Sequence, residues 1–208
     1  VSVGANYMAA RDFGARDSEG LSRTVHCAAL LSIILGLLAC VCGLLLSPPL
    51  LHWADAPEDV LHLSVLYLRI YFLGVPALVV YNFGSALLRA VGDTFTPLLF
   101  MVFSGALNVG LNLLLVVVIP LDVAGVAIAT SVSQLLSALL VTVRLCTFPG
   151  LCRLDLRRIR LYPDRVGQML QLGFSAGLQG VIFSAANVMI QSAVNSFGSA
   201  VMAGSSAA

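Results

Sequence analysis

Lysine is absent from these 208 residues, and charge of either sign is scarce: eleven arginines and ten acidic residues make up 10% of the chain, whereas 59% is hydrophobic. Soluble domains carry about a quarter of their residues as charges, so an ordinary water-soluble fold is excluded. A formal net charge of +1 offers nothing to nucleic acid. Five cysteines (Cys27, Cys40, Cys42, Cys146, Cys152) are an odd number without CxxC spacing, which argues against a disulfide framework or a zinc site and for small buried hydrophobes. His26, His52 and His62 lack metal-ligand spacing. With no nucleophile elbow, phosphate loop or carboxylate pair inside an apolar run, the chain has little on which to build catalysis. It reads as a non-enzyme without a cofactor.

What is present is a set of long stretches free of charge: Thr24 to Ala54, Ile70 to Leu88, Thr94 to Leu121, Val123 to Val143, and Val166 to Ala208. A bilayer core about 30 Å thick needs roughly 20 apolar helical residues, so each stretch can span it. Basic and non-basic connections alternate between them. Arg11, Arg16 and Arg23 precede the first. Asp55, Glu58 and Asp59 follow it, with no basic residue from Ser47 to His62. Arg89 comes next, then Asp122 alone, then Arg144, Arg153, Arg157, Arg158, Arg160 and Arg165. Since arginine is retained on the cytoplasmic side, the Arg-bearing loops are expected there, in the inner (plasma) membrane of a bacterium.

Punctuation sets the expected elements. Val1 to Ala10 reads as a helix end and Arg11 to Gly20 as a polar turn. The first full span runs from about Cys27 to Leu46, stopped by Pro48 and Pro49. Glu58 and Asp59 after Pro57 suit the first turn of a second span, about Ser64 to Leu88, in which Pro76 with Gly74 predicts a kink and a hinge. Thr96 and Pro97 read as an N-cap and N1 pair opening the third span, which ends near Pro120. The fourth, about Val123 to Val143, must be its antiparallel neighbour, with Gly125 and Ala129 allowing close contact. In the linker, Leu151, Leu154, Leu156, Ile159 and Leu161 interleave with arginine, as suits a segment on an anionic membrane surface. The last span, about Gln168 to Val194, carries Gly173 and Gly177 at GxxxG spacing, and Asn195 to Ser199 is expected to break it. Because the chain opens within one helix and closes within another, it reads as a fragment.

Polar residues within the spans are the functional candidates. Asn108 and Asn112 share a face of the third span with Ser104, and Thr130, Gln134 and Ser137 make a stripe on the fourth. Counting about 1.5 Å per residue puts Asn112 and Thr130 at matched depth, roughly 10 Å from the outer end. Their oxygens could hold a small cation or form a packing contact, and the spacing leaves both open. Ser184, Asn187, Gln191 and Asn195 form a stripe that faces either a helix partner or a water-filled cavity. Arg69 sits near a span end, where its side chain snorkels, and neighbouring Tyr67 reads as an interface aromatic.

Several strings together resemble the multidrug and toxic compound extrusion (MATE) transporters of the MOP superfamily. They are Phe13-Gly14-Ala15-Arg16-Asp17, Tyr67-Leu68-Arg69-Ile70, Arg89-Ala90-Val91-Gly92-Asp93-Thr94 leading to Thr96-Pro97, Asn108 with Asn112, and Gly125-Val126-Ala127-Ile128-Ala129-Thr130. The resemblance implies an all-α integral membrane protein, a polytopic helical bundle that is part of a twelve-helix, two-bundle fold. Residues 1–143 would be the C-terminal part of the first six-helix bundle (the end of helix two, then helices three to six). Residues 144–165 would be the cytoplasmic linker, and 166–208 helix seven and the start of helix eight.

Function implied by the resemblance is cation-coupled antiport, in which Na⁺ or H⁺ entry drives export of organic, often cationic or amphipathic, compounds by alternating access. The family's cation site matches Asn108, Asn112 and Thr130 and adds an Asp on helix one. Tyr67 matches a helix-four Tyr of the same network, and Asn187 and Gln191 are candidates for the substrate network. Ser175 stands where many members have proline, and no Glu occurs near Phe183 or Ser184, which argues against a second-bundle cation site. Expected partners are small organic substrates, the coupling ion and the bilayer, for a monomer that binds no nucleic acid. The alternatives are a flippase or exporter of lipid-linked saccharide from the same superfamily, and a non-transporting membrane scaffold protein.

Overall fold

The computed structural model describes residues 1–53, 58–148, 152–155 and 159–196, and the side chains of 1–49, 62–148, 152–155 and 159–190. Among the described residues the regular structure is entirely helical: α1 (Ser2–Gly14), α2 (Ser18–Trp53), α3 (Glu58–Ala90), α4 (Phe95–Asn112) continuing into a π-helical segment (Leu113–Val118), α5 (Asp122–Thr147) and α6 (Pro163–Ser196). Five helices are long and apolar enough to cross a membrane. Leu45, Val117 and Phe174 are more than 70% exposed, which water would penalise and lipid does not.

The α1–α2 turn is tighter than the expected Arg11 to Gly20. Arg16 reverses the chain at a φ of 55°, and Asp17 caps α2, its Oδ1 accepting the Gly20 N–H at 2.9 Å. Helix α2 also runs through Pro48 and Pro49 rather than stopping before them. Their fixed φ suits a helix, and the carbonyls they leave without donors lie near the end of the span, where water and headgroups substitute. Pro76 likewise sits inside an uninterrupted α3.

Thr96 is not the N-cap of α4. Asp93 takes that part, its Oδ1 accepting the Thr96 N–H at 3.1 Å and its Oδ2 accepting the Thr96 hydroxyl at 2.8 Å. Arg144 at the end of α5 pairs with the same Oδ2 at 3.0 Å. Burial would raise the Asp93 pKa, but the bonds from Thr96 and Arg144 outweigh it and hold the carboxyl below its ordinary 3.8.

Glycines let the long helices cross closely. A Cβ on Gly36 would lie 2.8 Å from the Pro76 Cα, so α2 and α3 touch backbone to backbone at the proline. Gly74 does the same for α3 on α5, where the Ser131 hydroxyl donates to the Ile70 carbonyl at 3.0 Å. Gly125 meets the Leu115 carbonyl of the π segment, and Ala129 is fully buried. In α6, Gly173 packs on Val1, whereas no described residue lies against Gly177.

The arginine-bearing connections gather at one end of the bundle, here termed the basic end, around a core that includes Met8, Leu21, Val25, Leu87, Leu88, Val141, Leu145 and Met169. Leu154 and Ile159 of the linker join that core instead of facing a membrane surface, and Leu161 alone of the described interleaved residues is exposed. Leu151 and Leu156 lie outside the described residues. Backbone bonds explain the inward turn. The Leu154 N–H donates to the Leu145 carbonyl at 3.0 Å, and the Asp155 N–H donates to His26 Nε2 at 3.1 Å, while His26 Nδ1 lies 2.7 Å from the Ser22 carbonyl. An accepting Nε2 requires the proton on Nδ1. Burial pushes the Cys152 thiol up to about 12. Cys27 and Cys40 are also buried, but Cys42 is exposed on α2, contrary to a uniform reading of the cysteines as core. Helix α6 includes Asn195 and Ser196, and the rest of the expected break, to Ser199, lies outside the described residues.

Candidate functional site

The α4–α5 hairpin builds the site because its polar residues recur at helical spacing on facing sides. Ser104 donates to the Ser133 carbonyl at 2.6 Å. One turn further along α4, Asn108 Nδ2 donates to Ser133 Oγ at 3.2 Å and lies 3.5 Å from Thr130 Oγ1. Another turn on, Asn112 Nδ2 donates to Asn108 Oδ1 at 3.0 Å. The two hydroxyls pass their protons to backbone, Thr130 to the Val126 carbonyl at 2.9 Å and Ser133 to the Thr130 carbonyl at 2.8 Å. Each donor atom of this network is therefore engaged in at least one hydrogen bond.

The acceptors are not. Asn112 Oδ1 is buried and has no partner among the described residues. A buried carbonyl oxygen without a donor costs about 1–3 kcal/mol, and a hydrogen-bond donor or a cation at that position would relieve it. Amide and hydroxyl oxygens are hard neutral ligands that suit an alkali cation and do not themselves titrate at physiological pH. The π segment starts one residue after Asn112. Its wider winding, seen in the Ile119 N–H bonded to the Leu114 carbonyl at 2.9 Å, seats Leu115 against Gly125 and closes the hairpin beside the site.

A cavity of about 440 Å³ opens next to the network. Its polar lining comes from Tyr81 and Asn82 of α3, Ser104 and Asn108 of α4, and Thr130, Ser133, Gln134 and Ser137 of α5, with no charged side chain among the lining residues. Gln134 Oε1 is a second buried oxygen without a partner. The Tyr81 hydroxyl donates to the Pro97 carbonyl at 2.9 Å, so it ties α3 to α4. Of these, Tyr81, Asn82 and Ser133 are not visible as site residues from sequence, although Ser133 falls three residues after Thr130 on the same face. Among the described residues no group of His, Cys, Asp and Glu could hold a metal ion.

Other candidates lie elsewhere. Tyr67 stacks on Tyr71 with ring centroids 6.2 Å apart, and it is not part of the cavity wall. Arg69 is exposed. Asn187 and Ser184 are exposed on α6, where Ser175 donates to the Gln171 carbonyl at 3.0 Å. The side chains of Gln191 and Asn195 lie outside the described residues.

The family model MatE matches residues 1–114. The probable multidrug resistance protein YpnP of Bacillus subtilis (strain 168) is 32% identical over 194 residues, 92% of this chain and 42% of its own length. The probable multidrug resistance protein YoeA of the same organism is 26% identical over 206 residues, 96% of this chain and 44% of its own. The chain thus spans less than half the length of these curated relatives. A crystal structure of MATE in the bent conformation matches with a TM-score of 0.88 at 26% identity, over 97% of this chain and 46% of that one. With the model covering more than half of the sequence and the solved fold following nearly all of it, the chain belongs to the MatE family of membrane transporters.

Proposed function

We propose that this chain works within a cation-coupled antiporter, driven by Na⁺ or H⁺, that exports organic and often cationic or amphipathic compounds by alternating access. The observation that carries the reading is the buried, unpartnered Asn112 Oδ1 at the end of the Asn108–Thr130–Ser133 network. Asn108, Asn112 and Thr130 supply the oxygens that would hold Na⁺. Coupling to H⁺ would need a carboxylate beside them, because amides and hydroxyls do not titrate in this range. Substrate would occupy the adjacent cavity, with Asn187 and Gln191 facing it from α6 in another conformation and Tyr67 at its outer margin. Pro76, packed on Gly36, is the proposed hinge of α3. The names of the relatives, multidrug resistance proteins, support this choice. A flippase for lipid-linked saccharide would want cationic groups for a phosphate, and the cavity lining has none.

The same reading places residues 1–143 in a first bundle, 144–165 in a linker and 166–208 in a second, with the basic end cytoplasmic in the inner membrane and the protein a monomer. The test is efflux from cells expressing the complete gene product. Asn112→Leu keeps the volume but cannot coordinate, and should abolish Na⁺- or H⁺-driven dye efflux at unchanged expression. The folding cost should be small, since interhelical amide bonds contribute about 0.6 kcal/mol on average. Wild-type efflux from Asn112→Leu would make the residue packing glue and remove the cation assignment.

A further inference from the structure

At the basic end, Asp12 is a carboxylate taken almost wholly out of water, 3% exposed, which is unfavourable unless it is paired and hydrogen-bonded. Its partners come from three helices. Arg11, its neighbour on α1, reaches Oδ1 through Nη2 at 3.1 Å and Nε at 3.3 Å. Thr24 of α2 donates to Oδ2 at 2.8 Å. Arg165, in the first turn of α6, donates to the same Oδ2 at 2.8 Å and lies 3.5 Å from the Thr24 hydroxyl. Gly20 sits under the Asp17 carboxylate that caps α2, with Arg165 Nη2 just beyond it.

The partners are unequal. Arg11 and Thr24 stay with Asp12 however α6 moves, and only Arg165 belongs to the other side. Separation of α6 would leave the carboxylate paired and hydrogen-bonded, while the freed guanidinium, at the membrane-surface end of its helix, could enter water. An ion pair arranged in this way can open without stranding a buried charge. The contacts beneath it are equally local. Met169 is fully buried against the Gly4 backbone and Gly173 meets Val1, so the first turns of α6 seal against α1. The linker is held separately, by Leu154 on Leu145 and by Asp155 on His26. Pro163 follows the Tyr162 carbonyl, which accepts the Arg165 and Val166 N–H groups and starts the helix. Tyr162–Pro163 is thus a joint between a docked linker and the first turns of α6, which an ion pair and a short apolar seal hold against α1.

We propose that Asp12 and Arg165 form a latch that holds α6 closed on α1 at the basic end, and that its release lets α6 swing away about Tyr162–Pro163 while the linker remains docked. It rests on the alternating-access reading for its role in transport, but its test does not.

Met169→Cys places a thiol in the seal of the complete gene product in nanodiscs, where a water-soluble maleimide reaches both faces. Labelling, corrected for the parent without Met169→Cys, tracks the population of the open form. Arg165→Gln should speed labelling by about tenfold or more, Arg165→Lys should return it toward the parent rate, and Asp12→Asn, which keeps the side chain's shape and removes the charge that Arg165 meets, should speed it several-fold. Native Cys152, 2% exposed under the docked linker, should stay unlabelled throughout. Unchanged labelling at position 169 in Arg165→Gln and Asp12→Asn would overturn the latch. So would parallel labelling of Cys152, which would mean general loosening in place of a hinged opening. If Arg165→Gln does not fold, the Asp12→Asn and Arg165→Lys rates decide. Failure of ion-coupled efflux would count against the proposed function and leave these rates readable.

Discussion

Asn112 and Asp12 pose opposite problems to the same fold. Asn112 keeps a buried oxygen without a donor, whereas Asp12 gathers donors from three helices. The first suits a ligand that comes and goes, the second a contact that is broken as a unit. Cys152 offers a residue-scale measure of how tightly the linker is docked. Its thiol is pushed up to about 12 by burial, so the nucleophilic thiolate is nearly absent at neutral pH. Alkylation of Cys152 at pH 8 should be slower than that of a free thiol by about a hundredfold or more, and denaturant should restore the ordinary rate. Rapid labelling in the folded protein would show that the Leu154 and His26 contacts do not hold the linker down. Sequence alone points to Asn108, Asn112 and Thr130 because their spacing of four and matched depth survive without knowledge of the fold. It does not point to Ser133 or Asn82, since one hydroxyl or amide among many looks the same until a facing helix singles it out.

Among the elements, the α3–α4 turn shows how one side chain serves two helices. Asp93 caps α4 and binds Arg144 of α5, and its pKa is lowered in the folded state. A carboxyl whose folded pKa is depressed stabilises the fold above its unfolded pKa, and that contribution disappears as pH falls through the folded value. Asp93→Asn retains a capping side chain but removes the charge. It should therefore lower stability in detergent by a few tenths to about 1 kcal/mol at neutral pH, the usual range for partly exposed pairs. The difference should fade as pH falls below 3.8, the ordinary value. A difference that persists at pH 2 would assign the effect to packing. The helices themselves are legible from uninterrupted apolar runs, but their ends are not. Pro48 and Pro49 read as stops because proline lacks a donor, yet a helix emerging from a membrane needs no donor there. Thr96 reads as a cap until Asp93 is seen to claim its N–H and hydroxyl.

For the molecule as a whole, the alternation of basic and non-basic connections predicts sidedness. A cysteine at Asp122 should react with an impermeant maleimide added to intact cells, and one at Arg160 should react only after the membrane is opened. The reverse pattern would invert the topology. All described arginines of the connections then share one face with Asp12, Asp93 and His26, which is where the core is densest. The polar cluster lies apart from that core, beside the cavity lined by Asn108, Thr130 and Gln134.

Charge-free length, the order of the arginines and the spacing of a few amides determined by themselves that this chain crosses a membrane several times, which way it is expected to face, and which hairpin carries the polar cluster. Those properties depend on the bilayer, a solvent uniform enough to be read from composition. Tertiary structure alone decided which oxygens are left without partners, why Leu154 and Ile159 turn inward rather than onto lipid, and that Arg165 meets Asp12 from a distance of 153 residues along the chain. Each of these depends on which helices come together, and they approach closely at Gly4, Gly36 and Gly74. Such contacts are set by shape, and a one-dimensional pattern of polarity does not carry shape.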